Sequence, residues 1–211
     1  MNVTIFGATG RTGQELVAQA LDREYDVVAY VRNTQKLIIN SPRLTIASGE
    51  LHNREAIQLA IAQSNCVLSA LGPMGKQGDE ELCDGIANIL SAAEEVGIPR
   101  IIILSTTSAQ DPADKDGFRT RMRRDMIRRG RPTSYEQIVK YSQLVRDSKC
   151  DWTLVRIASI LTNEPLSKQV RAGYLGVDTF RSKLSRANLA WFMLEQIGSK
   201  EYLRKAPALS N

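Results

Sequence analysis

Residues 5–13 read IFGATGRTG, with glycines at Gly7, Gly10 and Gly13. The stretch joins an apolar run, 2–7 (NVTIFG), to a segment with apolar residues at Leu16, Val17, Ala20 and Leu21. The run reads as a buried strand and the segment as one face of a helix. A strand that ends in a glycine turn and opens a helix is a ready anion site. The free N–H groups of the first helical turn point outward, and the helix dipole adds partial positive charge. In that placement Gly7 permits the turn, Gly10 lets the backbone approach a pyrophosphate, and Gly13 lets helix and strand pack closely. Thr9, Arg11 and Thr12 add phosphate donors. The spacing is G-x-x-G-x-x-G rather than the more usual G-x-G-x-x-G. A tight turn without a ligand is the plain alternative; the position at the first βα junction favours a dinucleotide.

Outward from this turn the pattern repeats. Segments 26–31 (DVVAYV), 43–47 (RLTIA), 65–71 (NCVLSAL), 100–105 (RIIILS) and 151–157 (DWTLVRI) read as strands. Segments 54–62, 79–96, 118–129, 134–148 and 185–197 read as helices. Gly97 stops the third helix of the chain, and Ser185 is placed to cap the last. The helix over 118–129 is expected to end at Gly130 and Pro132, with Phe118, Met122 and Met126 turned inward. Strands alternating with helices predict an α/β fold: a Rossmann-like doubly wound parallel sheet with helices on both faces. No linker or repeat divides the chain, so residues 1–211 are read as a single domain, with about 158–211 completing the substrate side.

Composition narrows the function classes. With 211 residues and ordinary apolar and charged fractions, the chain suits one soluble globular domain. No apolar run approaches the roughly 18–20 residues of a membrane helix, and Met1-Asn2 leads straight into a strand, so a cytoplasmic protein is expected, with no membrane partner. Cys66, Cys83 and Cys150 match no metal or redox spacing and are expected to be free and buried. His52 is the only histidine, which excludes a histidine-rich metal site; no metal is expected. Residues 119–131 hold seven Arg and one Asp. Of the net +5, this segment carries +6, leaving −1 for the remainder.

The end of the second strand bears on cofactor choice. An NAD site places Asp or Glu there to bind the ribose hydroxyls. Here the strand runs on to Arg32, and a guanidinium suits a 2′-phosphate, so NADP(H) is preferred over NAD(H). A solvated loop arginine is the alternative.

GATGRTG, YVRN at 30–33, GEL at 49–51, ALGP at 70–73, STTSA at 105–109, WTLVR at 152–156 and LSRANLA at 184–190 together resemble the atypical short-chain dehydrogenase/reductase superfamily. The short length is similar to its NmrA-like NAD(P)-binding group, which contains biliverdin-IXβ/flavin reductase. The resemblance implies that Glu50 and Leu51 contact the adenine. It puts Ala70, Leu71 and Gly72 beside the ribose and nicotinamide, and Thr106, Thr107 and Ser108 near the carboxamide. The chain lacks the histidine expected in that reductase's substrate region.

Standard members of the superfamily pair a Tyr with a Lys four residues on, alongside a Ser. Ser108 is the candidate serine. Tyr135 precedes Lys140 by five residues, half a turn out of phase, and Tyr141 has no Lys at the right spacing. Ser108, Tyr141 and Tyr135 therefore stand as catalytic candidates without an intact triad. A carbonyl reductase or epimerase, which needs the Tyr–Lys pair, is the least supported enzyme class. Hydride transfer to a planar conjugated acceptor (flavin, quinone or bilin) needs alignment more than an acid. The expected function is an NAD(P)H-dependent oxidoreductase of that kind. Its partner is a small-molecule acceptor, and it is a monomer or small homo-oligomer. The alternative is an NmrA-like dinucleotide-binding redox sensor without catalysis. The arginine segment reads first as a solvated helix face and next as a device steering an acidic substrate. Nucleic-acid binding is the weakest reading, for want of a second basic face and stacking aromatics.

Overall fold

Strands buried on both faces need apolar residues at successive positions, and the chain supplies them. The computed structural model describes residues 1–73 and 81–211. Its elements run β1 (Asn2–Phe6), α1 (Arg11–Asp22), β2 (Asp26–Val31), β3 (Leu44–Ser48), α2 (Arg54–Ile61), β4 (Cys66–Ser69), α3 (Glu81–Val96) and β5 (Arg100–Thr106). There follow α4 (Phe118–Gly130), α5 (Pro132–Asp147), β6 (Asp151–Ile157), β7 (Ile160–Thr162), β8 (Arg171–Gly173), β9 (Lys183–Ser185), α6 (Arg186–Glu195) and β10 (Ala208–Ser210). The expected helix start at 79–80 lies outside the described residues.

The main sheet has the order β3-β2-β1-β4-β5-β6-β10-β8. It is parallel from β3 through β10, and β8 closes the edge antiparallel to β10. β7 and β9 form a separate parallel pair. This is a doubly wound Rossmann-like sheet. Alternate side chains feed two cores: Val67, Ile101 and Ile103 pack beneath α2, α3 and α5. Val3, Ile5, Leu68, Ile102 and Leu104 pack beneath α1 and α6. Strand order reverses between β1 and β4, and a crevice opens at such a switch point beyond the carboxyl ends of the strands.

Three local expectations hold. Gly97, at φ +81°, follows the last residue of α3. The Ser185 hydroxyl caps α6 by accepting the Asn188 amide at 3.0 Å. All three cysteines are free and buried. Pro132 does more than end a helix, since it stands at the first turn of α5, where its missing N–H costs nothing. One expectation is overturned. Phe118, Met122 and Met126 are 81%, 59% and 67% exposed and face solvent. The less exposed positions of α4 are instead Thr120, Arg124 and Ile127. Arg124 is turned inward by its pairing with Asp116, and Arg123 is tied by a 2.7 Å bond to the Ala158 carbonyl.

Candidate functional site

The turn after β1 is built on backbone. Gly7 has φ +73°, in the left-handed region, and a Cβ there would stand 2.9 Å from the Ala70 carbonyl carbon and the Leu71 nitrogen. Gly13 lies so close to the turn that its Cβ would overlap the Gly7 carbonyl oxygen and come within 2.8 Å of the Ala8 Cα. Gly10 is the N-cap of α1, and no side chain caps that end. Its own N–H donates to the Gly7 carbonyl at 3.0 Å, closing the turn. The first N–H groups of α1 are thus left to an outside acceptor. Arg11 is exposed beside them, Thr9 is half-buried and Thr12 is buried.

At the end of β2, Arg32 Nε lies 4.0 Å from a Glu50 carboxylate oxygen, with both side chains more than half exposed. The Tyr30 hydroxyl donates to the Glu50 carbonyl at 3.0 Å; burial and then the Glu50 charge raise its pKa. Leu51 packs toward Gly85, where a Cβ would meet its side chain at 2.8 Å, and the Leu51 carbonyl accepts from Asn88 at 2.8 Å. Ala70, Leu71 and Gly72 form the half-buried lip after β4. After β5, the Ser108 amide donates to the Thr106 hydroxyl at 3.2 Å, and the Ala109 amide to the Thr106 carbonyl at 3.1 Å. Thr107 and Ser108 are buried, and the Ser108 hydroxyl has no hydrogen-bond partner among the described residues. An unmet buried hydroxyl costs about 1–3 kcal/mol.

The two tyrosines part company. Tyr141 is 1% exposed, and its hydroxyl is committed to the Leu104 carbonyl at 3.2 Å and the Ser105 hydroxyl at 2.9 Å. Burial raises its pKa far above the ordinary tyrosine range, partly offset by the bond to Ser105. It is a core residue under the sheet end and not a proton donor facing the crevice. Tyr135 is half-buried on α5, and Lys140 is exposed on the same helix.

A cavity of about 250 Å³ adjoins the β5 end. It is lined by Thr107, Gln110, Asp114 and Asp116 from the loop after β5, by Arg123 and Arg124 of α4, and by Leu175. Its rim is fixed by Arg156 at the end of β6, which is fully buried. That guanidinium holds both Asp114 oxygens at 2.5 and 2.8 Å and the Ala109 carbonyl at 3.0 Å. Asp114 also accepts the Asp111 and Leu175 amides, both at 2.9 Å. Burial opposes its ionisation, but the bonds to Arg156 and to these amides outweigh it and hold the carboxyl below its usual range. WTLVR and the polar loop after β5 were visible in sequence, but their mutual pairing carries no local signal. Among the described residues no cluster of three or more His, Cys, Asp or Glu is arranged for a metal, and no helix is long and apolar enough to cross a membrane.

Several known proteins share this architecture. A short-chain dehydrogenase/reductase of Veillonella parvula, solved in complex with NADP, superposes with a TM-score of 0.80 at 19% identity, covering 100% of this chain and 94% of that one. ChuY, an anaerobillin reductase of Escherichia coli O157:H7, also gives a TM-score of 0.80, at 14% identity over 100% of this chain and 97% of that one. At these identities the likeness shows the fold alone. By sequence, the chain is 24% identical over 161 residues to the (4-alkanoyl-5-oxo-2,5-dihydrofuran-3-yl)methyl phosphate reductase of Streptomyces griseus, covering 76% of this chain and 49% of that protein. It is 27% identical over 118 residues to the photosystem II assembly factor Ycf39 of a Synechocystis strain, covering 53% and 35%. The chain thus spans about half or less of the curated relatives it matches. A family model described as NAD(P)H-binding matches residues 7–200, from the first glycine of the turn to the end of the last helix and just beyond. The chain belongs to this NAD(P)H-binding family.

Proposed function

We propose that the protein is an NAD(P)H-dependent reductase of a planar conjugated acceptor, with NADP(H) as its preferred cofactor. The observation that carries this reading is the glycine turn with its uncapped α1 N-terminus, together with a buried Ser108 hydroxyl that has no partner among the described residues, next in the chain to Thr107 of a cavity of about 250 Å³. The glycine turn and α1 N-terminus would hold the pyrophosphate, with Thr9, Arg11 and Thr12 as added donors. Arg32 would pair with a 2′-phosphate, drawn from its long contact with Glu50. Glu50 and Leu51 would border the adenine. Ala70, Leu71 and Gly72 would flank the ribose, and Thr106, Thr107 and Ser108 would fix the nicotinamide ring.

A bound nicotinamide supplies the hydride. The chain itself would orient the two rings and exclude water, and Ser108 would donate its hydroxyl at the reacting end. Tyr141 is committed to the core and Tyr135 stands five residues before Lys140, so the described residues offer no Tyr–Lys pair at the spacing of four, which favours an acceptor whose product takes its proton from solvent. Two of the similar proteins are named as reductases, one of an anaerobillin and one of an unsaturated oxo-dihydrofuran phosphate, in keeping with a conjugated acceptor. The test is NADPH oxidation against flavins, quinones, a bilin and an aldehyde. Turnover of a flavin, quinone or bilin is expected. Tight NADPH binding with no turnover of any of them contradicts the reading.

That second outcome would favour a dinucleotide-binding redox sensor. One observation supports it: the outward face of α4 presents Phe118, Met122 and Met126 to solvent between arginines, as a partner surface would.

A further inference from the structure

The cavity beside Thr107 contains three carboxylates, and two of them are fully engaged. Both Asp114 oxygens are held by Arg156 and by backbone amides. The Asp111 oxygens accept the Ala113 amide at 2.9 Å and the Ala206 amide at 2.7 Å. These carboxylates are parts of the wall. Asp116 is different. It stands on the exposed loop just before α4, 53% exposed, and its described side-chain contacts are to arginines. Its two oxygens take Arg124 Nη1 and Nη2 at 3.0 and 3.3 Å, with Arg121 Nε at 3.9 Å. Arg124 is the more buried partner, at 21% side-chain exposure, and it lines the cavity. Arg123 lines it too and spends one N–H on the Ala158 carbonyl.

Arg124 turns two N–H groups to a half-exposed carboxylate at the cavity wall, where another anion can compete for them. Such a surface pair is weak, whereas a planar guanidinium binds carboxylate or phosphate oxygens in pairs wherever they enter with matching geometry. We propose that the acceptor carries an anionic group, carboxylate or phosphate, that replaces Asp116 on Arg124, with Arg123 as the second cation. This rests on the reductase reading. Asp116 then acts as a built-in competitor: it neutralises Arg124 when the cavity is empty and swings toward solvent when an anionic acceptor binds.

The experiment uses two pairs of compounds that differ in charge: FMN and riboflavin, and a naphthoquinone carboxylate and its methyl ester. Equilibrium binding to the NADP⁺-saturated protein is measured alongside NADPH-dependent turnover. The charged member of at least one pair is expected to bind on the order of tenfold tighter, with the difference in KM rather than kcat. Preference within the first pair identifies phosphate, and within the second carboxylate. Arg124→Gln is expected to abolish the preference. Asp116→Asn is expected to tighten the charged compounds relative to their neutral partners, a widened charge preference that a merely damaged fold does not produce. Equal binding of charged and neutral members, no binding by either pair, or an Asp116→Asn protein that weakens the charged compounds relative to their neutral partners overturns the proposal. Turnover without charge preference leaves the reductase reading standing and removes this one. Charge-selective binding without turnover does the reverse.

Discussion

At the residue scale, the demands on Gly7, Gly10 and Gly13 differ, and so do the expected effects of changing them. Gly13→Ala drives a methyl into the Gly7 carbonyl. It is expected to cost about 1–3 kcal/mol in urea denaturation and to weaken cofactor binding with it. Ser108 has the opposite signature. Its hydroxyl has no partner among the described residues, so Ser108→Ala is expected to leave stability unchanged or raise it by up to about 1 kcal/mol. Turnover with the best acceptor is expected to fall by roughly 10–100-fold. A stability loss with unchanged turnover would assign Ser108 to packing. Arg32→Ala is expected to raise the Kd for NADPH on the order of tenfold while leaving NADH within about twofold. Equal loss for both cofactors would remove Arg32 from the 2′-phosphate. The glycines were legible because backbone conformation and close approach restrict residue type directly. The Tyr141 environment was not. Helical spacing shows which face a tyrosine shares, but its burial depends on the sheet end beneath it, where Leu104 and Ser105 take its hydroxyl.

At the scale of elements, the cavity wall depends on the pair between β6 and the loop after β5. Arg156 is fully buried, and the Asp114 side chain is 10% exposed. Removing the carboxylate leaves a buried guanidinium without its counter-charge, so Asp114→Ala is expected to cost about 3–5 kcal/mol, read as a lower denaturant midpoint at neutral pH. Because folding holds the Asp114 carboxyl below its ordinary value of about 3.9, its contribution is complete above that value. It is lost as pH falls from there through the lowered folded value. The stability gap between the natural protein and Asp114→Asn is expected to close over that acidic window. A gap that persists unchanged through it would contradict the pairing. Long, strongly patterned elements could be read from sequence: β5 as an unbroken apolar run, α3 from its stripe, α6 from its cap. β7, β8, β9 and β10 have three residues each, too few to show a period. β10 exists because Ala208 and Leu209 find register beside Arg156 and Ile157. The fourfold spacing of Phe118, Met122 and Met126 announced a helix correctly. Periodicity states which residues share a face, not whether a neighbour covers it.

At the scale of the whole molecule, the doubly wound parallel sheet was legible in the sequence from the alternation of strands and helices and from crossover handedness, whereas its strand order was not. The position of the crevice beyond the strand ends followed with the sheet. The cavity did not, because its wall joins the loop after β5, α4 and Leu175, and Leu175 is distant from the others in the chain. The account depends on the glycine turn being a dinucleotide cradle, and the direct test separates cradle from fold. Gly10 sits at φ −74° and ψ 160°, open to any residue, and a Cβ there meets only the Gly7 carbonyl, at 3.3 Å. Calorimetric titration of NADPH into the natural protein and into Gly10→Val, with thermal unfolding of both in parallel, is therefore the first measurement to make. The account predicts binding by the natural protein, loss of at least about tenfold in affinity in Gly10→Val, and nearly equal unfolding temperatures. Undiminished NADPH binding by a folded Gly10→Val protein, or no binding by the natural one, would contradict it.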